Sequence, residues 1–497
     1  MSVEISRGAR GKRLAVLGAF ATVAAIASVA SHARSEVTGF DPFGTESHAN
    51  VPPVTALVPQ TSGVELCAFD LPVAPLRLKD VASRALCQNP LTRRGWANAQ
   101  LQAARLGEAK AAQWPTLSGV LNGSLNRTHT SLADGSASQE SSNGTVRGAE
   151  LAFEWVVFDF GARSAEVRKA RELVSAADQS FDATVLDVLY TSTRDYFAAV
   201  TARAQVEAAR EAESNAIQIF AAAHAQMQSG VASLSDELQA RTACNQATLG
   251  VVKANSAMQE AIGTVAIDMG LSPDVPIVLE PMSAVTQRPA PQLESIRALL
   301  DQALENHPRL LAARAELRAS EASIDSMRAQ AMPSVRLEGG LSASNRPAAS
   351  FNTTGSVSSA SRSSYVGIRL TIPFFDGFSS TYRIREARAE AGLQQTNVAE
   401  TEQQVALNVW KSYEAVRGGA QTVEQTQALK DNAGLAFDAA QARYKVGISG
   451  ILELLRAQDV LAAANQQYIL ALSDWLTARL GLAASLGKLD FGQIQED

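Results

Sequence analysis

The residue types that usually carry chemistry are sparse in this chain and poorly spaced for it. Five histidines are scattered over 497 residues, none in the His-x-x-x-His or Cys-His spacing that holds a metal ion. No serine sits in a nucleophile elbow, and no glycine run has the spacing that cradles phosphate. Neither an enzymatic role nor a metal or cofactor is expected. Cys67 and Cys87 bracket the segment entering the first helix. In an exported chain they can oxidise to a disulfide that closes a loop of about 20 residues and stabilises by roughly 3 kcal/mol. Two unpaired buried thiols are the alternative reading. Cys244 has no obvious partner and reads as a small helix-packing residue.

The elements that would position any functional group come in duplicate. Residues 78–270 return at 296–487 with a displacement of 217 or 218 positions. Asn89-Pro90 returns as His307-Pro308, Trp114-Pro115 as Met332-Pro333, Phe158-Asp159 as Phe375-Asp376 and Tyr196 as Tyr413. Gly230 and Gly270 return as Gly447 and Gly487. Solenoid units run to about 50 residues at most, so this is two copies of one large unit.

Each copy reads as helix, strand, polar loop, strand, very long helix, glycine break, helix. The first helix is expected over about Arg77 to Gln113. Leu117, Gly119, Leu121, Gly123 and Leu125 alternate with polar neighbours, and so do Leu151, Phe153, Trp155 and Val157. In the second copy Val335, Leu337, Gly339 and Leu341 alternate, then Val366, Ile368, Leu370 and Ile372. A period of two marks strands with one apolar face. Strands are expected near 116–128, 146–158, 334–343 and 364–373, each long enough to cross a bilayer when tilted. A soluble antiparallel sheet with one wet face would alternate in the same way.

The helices separate those readings. Residues 162–228 contain no proline and almost no glycine, which predicts a helix of roughly 100 Å; 379–446 is its counterpart. Shorter helices follow at about 234–270 and 450–486. Val398, Val405, Val409, Val416 and Val423 keep steps of seven and four, and Leu454, Leu461, Tyr468, Trp475 and Leu482 keep steps of seven. Sustained heptads mean helices wrapped on neighbours. Four strands cannot seal a barrel, and open edges in lipid leave backbone groups unpaired. Copies must therefore share one barrel: two would make a filled eight-stranded barrel, three a twelve-stranded one with a lumen.

The remaining segments frame the repeats. Arg7, Arg10, Lys12 and Arg13 precede an apolar run from Leu14 to Ala30 and small residues suited to cleavage, so 1–33 reads as an export signal, with a single membrane anchor as the alternative. Residues 34–76, with Pro42, Pro52, Pro53, Pro59, Pro72 and Pro75, form an extended arm. The repeats occupy 77–271 and 293–490, joined by a linker at 272–292 and followed by a tail at 491–497. A net charge of −6 gives no reason to expect nucleic acid.

In this order and spacing the chain resembles the TolC-like outer-membrane factor family over residues 77–490. The residues that carry the likeness are Leu78, Asp80-Val81, Ala85-Leu86 and Asn89-Pro90, then Trp114-Pro115, Phe158-Asp159-Phe160-Gly161 and Arg443-Tyr444-Lys445-Val446-Gly447. The resemblance implies a homotrimer in the outer membrane, with a twelve-stranded barrel continuing into a coiled-coil helical tunnel in the periplasm. It also implies docking to a periplasmic adaptor and an inner-membrane ABC or proton-driven transporter, for type I protein secretion or small-molecule efflux. A periplasmic coiled-coil scaffold or adaptor protein without a membrane pore is the competing reading.

Two candidate sites follow. The helices reverse at Ser229-Gly230-Val231 and Val446-Gly447-Ile448, where glycine permits a tight turn. The resemblance makes Gly230, Val231, Tyr444, Val446 and Gly447 adaptor-docking tips, with Tyr444 either at the tip or buried between helices. Past the second turn, the family's acidic mouth positions hold Glu453 and, one turn on, Arg456, a departure from a second acid. Arg456 could pair with Glu453 at i,i+3 or with Asp236 of the neighbouring hairpin and latch the mouth. A solvated charged face is the plain alternative. Trp155, Phe158, Tyr365, Phe374 and Phe375 suit a membrane interface, though Phe374 and Phe375 could equally plug the junction with the helices.

Overall fold

A computed structural model describes residues 41–45, 75–130, 140–281, 295–348 and 357–489. The export signal, Cys67, residues 131–139 and 349–356 of the polar loops, and the C-terminal tail lie outside these. Residues 1–50 form a unit of their own, in which Asp41 Oδ1 accepts from Phe43 N and Thr45 Oγ1, both at 3.2 Å. All elements below belong to the second unit.

In chain order these are α1 (Leu78–Gln88), α2 (Pro90–Ala111), β1 (Thr116–Thr130), β2 (Glu140–Phe158), α3 (Ala162–Gln228) and α4 (Leu234–Asp268). The second copy supplies α5 (Ile296–Asn306), α6 (Pro308–Gln330), β3 (Ser334–Ala348), β4 (Val357–Thr371), α7 (Ser379–Lys445) and α8 (Ile451–Ser485). The opening helix expected from Arg77 to Gln113 is thus two helices, and so is its counterpart. The cause is local. Asn89 and His307 precede proline, which forces extended backbone (ψ 130° and 123°). Each then caps the next helix, Asn89 Oδ1 accepting from Leu91 N at 2.9 Å and His307 Nδ1 from Arg309 N at 3.2 Å. Pro90 and Pro308 stand at N1, where a missing N–H costs nothing.

The four strands make one antiparallel sheet in the order β1-β2-β3-β4. Leu117 lies opposite Phe153, Trp155 opposite Leu337, and Leu337 opposite Ile368. The alternating apolar residues therefore share one face, left bare in the single chain: Val366 is 82% exposed and Ile368 76%. The other face is polar. Tyr365 belongs to it, lying across Gly340, where an added Cβ would meet the ring at 2.5 Å. Tyr365 is thus not on the apolar face with Trp155, and the interface reading for it is corrected. Trp155 donates from Nε1 to Gln113 O at 3.1 Å, tying β2 to the end of α2.

Asp159 and Asp376 manage the passage from strand to long helix. Asp159 accepts from Gly161 N and Arg163 N, both at 3.2 Å, and Asp376 from Ser380 N at 2.7 Å. Between acid and helix two residues adopt positive φ in each copy, Phe160-Gly161 and Gly377-Phe378.

The two long helices have equal length and unequal company. α3 is flanked by α1, α2 and α4 and by α6 and α8, and buries 23 residues; α7 packs chiefly on α5, α6 and α8 and buries seven. α7 is therefore an edge of the helical layer, and α2 with α4 forms the other. Leu454 and Leu482 on α8 and Val405, Val409 and Val416 on α7 are buried as the heptads require. The main core gathers α1, the middle of α3, the end of α4 and α8 around Tyr196, Phe197 and Met269. A second core, with Ile219, Phe437, Tyr444 and Leu454, lies near the helix reversals. Among the described residues no helix is long and apolar enough to cross a membrane.

Candidate functional site: the hairpin tips and their charged contacts

Both tips are built by the same backbone device. Gly230 (φ +76°) and Gly447 (φ +75°) end the long helices. Val231 N donates back to Gln226 O, and Ile448 N to Arg443 O, each at 2.9 Å. These bonds satisfy the last carbonyls of each helix, as a Schellman ending does. Val231, Val446 and Ile448 project into solvent, while Tyr444 is buried in the core behind the tips. The Tyr444 hydroxyl is buried without a hydrogen-bond partner. Burial, and then the Asp236 charge, raise its pKa above the ordinary tyrosine value.

The copies diverge just beyond their glycines. In the first, Ser233 and Asp236 form a reciprocal capping box, Ser233 N donating to Asp236 Oδ2 at 3.1 Å and Asp236 N to Ser233 Oγ at 3.2 Å. At the Ser233 position the second copy has Gly450, which offers no side-chain cap. Glu453, the counterpart of Asp236, is released from capping and pairs instead with Arg443 of α7, Nη1 to Oε1 at 3.0 Å. Arg456 is exposed and pairs with neither Glu453 nor Asp236. The expected latch through Arg456 is corrected on this point. Asp236 is committed to its own helix terminus, and the cation reaching Glu453 comes from across the hairpin.

Arg443 stands inside the motif that carries the family likeness, yet its partner is ten residues on, across a turn. A second contact had no sequence signal at all. His224 Nδ1 lies 2.8 Å from Glu237 Oε1, joining α3 to α4 beside the first tip. The Gln228 amide nitrogen lies 2.9 Å from His224 Nε2, so both ring nitrogens have polar neighbours. The second copy carries Gln441 and Leu454 at these two positions. The first hairpin is thus held by a polar clamp that the second, with Leu454 buried in its core, lacks.

Of the expected cysteine pair, Cys87 is half-buried in α1 and Cys67 lies outside the described residues. Cys244 is free. Among the described residues no group of His, Cys, Asp and Glu could hold a metal ion.

The sequence comparison fits this doubled architecture. One family model, described as outer membrane efflux protein, matches twice, over residues 81–266 and 299–488. The chain belongs to that family. It is 31% identical to the protein CyaE of Bordetella pertussis over 422 residues, covering 85% of this chain and 86% of that one. The outer membrane efflux protein BepC of Brucella suis is 24% identical, with 80% and 82% covered. The fold is shared with a solved structure of CusC, at TM-score 0.70 and 19% identity, covering 84% of this chain and 98% of that one. Membership makes this an outer-membrane channel component rather than an enzyme.

One buried acid lies away from the tips. Asp268, the last residue of α4, lies beside Asp195 of α3. Its Oδ2 is buried without a partner. Burial first, then the Asp195 charge, push its pKa up to about 7, against a smaller opposing pull from Arg194. Asp195 itself accepts from Arg194 Nε at 2.9 Å. A carboxyl whose folded pKa is raised binds its proton more tightly when folded, so stability falls as pH rises from about 4 to about 7. Asp268→Asn, neutral throughout, should flatten that part of the profile and raise the thermal midpoint at pH 8 but not at pH 4. Equal midpoint changes at both pH values would refute the assignment.

Proposed function

We propose that three copies of the chain close into one passive export conduit. Three four-stranded sheets supply the twelve strands of an outer-membrane barrel, which continues into a helical duct through the periplasm. The far end docks to a periplasmic adaptor and, with it, to an inner-membrane ABC or proton-driven transporter. The cargo class is protein or small toxic compounds. The carrying observation is that the sheet is unfinished at β1 and β4 while the helix-proximal part of one face is bare and apolar. Lipid can accept such a face, but not open edges. The helical layer is unfinished in the same sense, at α7 and at α2 with α4. One operation, placing β4 and α7 of one copy beside β1, α2 and α4 of the next, covers all these borders. Membrane fractionation followed by mass measurement in detergent tests this: a trimer in the outer-membrane fraction is expected, and a water-soluble single subunit would overturn it.

In this reading the tips, with exposed Val231, Val446 and Ile448, are the adaptor-docking end, and opening is a rigid-body shift of α7 and α8 that separates charged contacts. The gate contact is Arg443–Glu453, with Tyr444 and Asp236 behind it. The Cys67–Cys87 disulfide belongs to the same reading, since the mature chain lies in an oxidising compartment. The Arg443 and Glu453 side chains are 54% and 46% exposed, so the pair contributes at most about 1 kcal/mol. The expected change is correspondingly limited. Arg443→Glu and Glu453→Arg should each raise single-channel conductance in planar bilayers by about twofold, and the double swap should restore it. Unchanged conductance in both single variants would remove the gate assignment.

A further inference from the structure

The polar face of the sheet sorts its charges by sign. Glu154 of β2 and Glu338 of β3 lie directly opposite each other in register. One pleat nearer the helices, Arg336 of β3 lies directly opposite Arg369 of β4. Opposite charges meet only on the diagonal, Arg336 Nη1 to Glu154 Oε1 at 2.7 Å and Arg369 Nε to Glu338 Oε1 at 2.6 Å. This arrangement is informative because like charges directly opposite destabilise a strand pair. A sheet using charge only for cohesion would place opposite signs in register. Both rows lie close to the helix ends of the strands, since β1 starts at Thr116, opposite Glu154, and β4 finishes at Thr371, opposite Ser334. Glu150, four residues farther out on the same face, has no cation partner among the described residues.

We propose that these four side chains form a two-tier charge ring at the passage from barrel to helical duct, and that the ring sets the ion preference of the channel. It rests on the trimeric barrel proposed above. Closing three sheets places an acidic tier on the barrel side and a basic tier on the duct side, each in three arcs. The arcs are separated by neutral residues such as Thr116 and Gly367. With Glu150 counted, each copy contributes three carboxylates against two guanidiniums, so the passage prefers cations slightly. Screening limits the reach of the ring to about 8 Å at physiological salt and about 3 Å at 1 M. Its influence is therefore largest in dilute salt.

The test is the cation-to-anion permeability ratio of the full-length protein in planar bilayers at about 0.1 M KCl. It is read in the wild type and again with Arg443→Glu, which lowers the resistance of the far end. Arg336→Gln with Arg369→Gln should raise the ratio at least about twofold, and Glu154→Gln with Glu338→Gln should lower it by a similar factor. Both changes should shrink at about 1 M salt. Gly367→Cys is the independent probe, because it keeps all four charges and its Cβ meets nothing within 4 Å. A cationic thiol reagent on that cysteine should lower the ratio and an anionic one raise it, with the wild type, which has the free Cys244, as control. Trimers that conduct with an unchanged ratio in every variant would overturn the ring and leave the conduit intact. Absence of any trimer or conductance in the wild type would instead remove the conduit reading itself.

Discussion

Val366→Arg should abolish assembly in the outer membrane, while Gly367→Arg, one residue along the same strand, should leave it intact. Val366 stands on the apolar face with Ile368 and Leu370, and Gly367 on the polar face in register with Glu338. A guanidinium facing lipid costs up to about 4 kcal/mol, less toward the strand ends, and a trimer incurs that cost at three sites. On the polar face the same side chain meets water and the Glu338 carboxylate, and no atom lies within 4 Å of where its Cβ would stand. The measurement is the amount of heat-resistant trimer in the outer-membrane fraction. Equal assembly of the two variants would mean that the apolar face does not meet lipid.

Gly270→Ala and Gly487→Ala form the second pair, and they should destabilise far more than Gly230→Ala and Gly447→Ala. All four glycines end a helix at φ between +70° and +76°, so each substitution incurs the left-handed penalty of about 1 kcal/mol. Only two meet a wall. A Cβ on Gly270 would stand 3.0 Å from Gln88 Cβ and 3.2 Å from Gln88 O, and one on Gly487 would stand 3.1 Å from Pro308 Cδ. Those walls are the α1–α2 and α5–α6 breaks, whose prolines and caps give them little freedom to retreat. Overpacking adds about 1–3 kcal/mol, for a total of about 2–4 kcal/mol at each of these two sites. At Gly230 and Gly447 nothing lies within 4 Å, so the cost stays near 1 kcal/mol. Thermal unfolding of detergent-purified protein should rank the four in that order. A uniform loss across all four would show that only backbone conformation counts.

The contrast follows from what a glycine reports in a sequence. Four glycines at matching offsets say that four helices stop. They do not say that two of those stops are wedged against the proline breaks of a preceding helix pair. Asn89-Pro90 and His307-Pro308 are equally plain as sequence, yet they read as the opening of one helix. The pre-proline residue both ends α1 and caps α2, and a helical pattern that continues on either side of the break hides it.

Order along one element was therefore legible. The duplication, the helices that coil on neighbours, the alternation of the strands and the identity of the apolar face all depend on spacings within a single segment. Backbone geometry turns those spacings directly into faces. Pairing between segments was not legible. That Glu453 takes Arg443 and not Arg456, that Asp236 is absorbed by its own helix cap, that His224 meets Glu237, and that Glu154 faces Glu338 from the other copy depend on how helices and strands are rotated and registered against each other. A one-residue change of register would send the strand side chains among these to the opposite face. The amino-acid order determined which surfaces need covering. The tertiary arrangement decided which charges meet, because a long side chain chooses its partner by distance across the packed interface and not by separation along the chain.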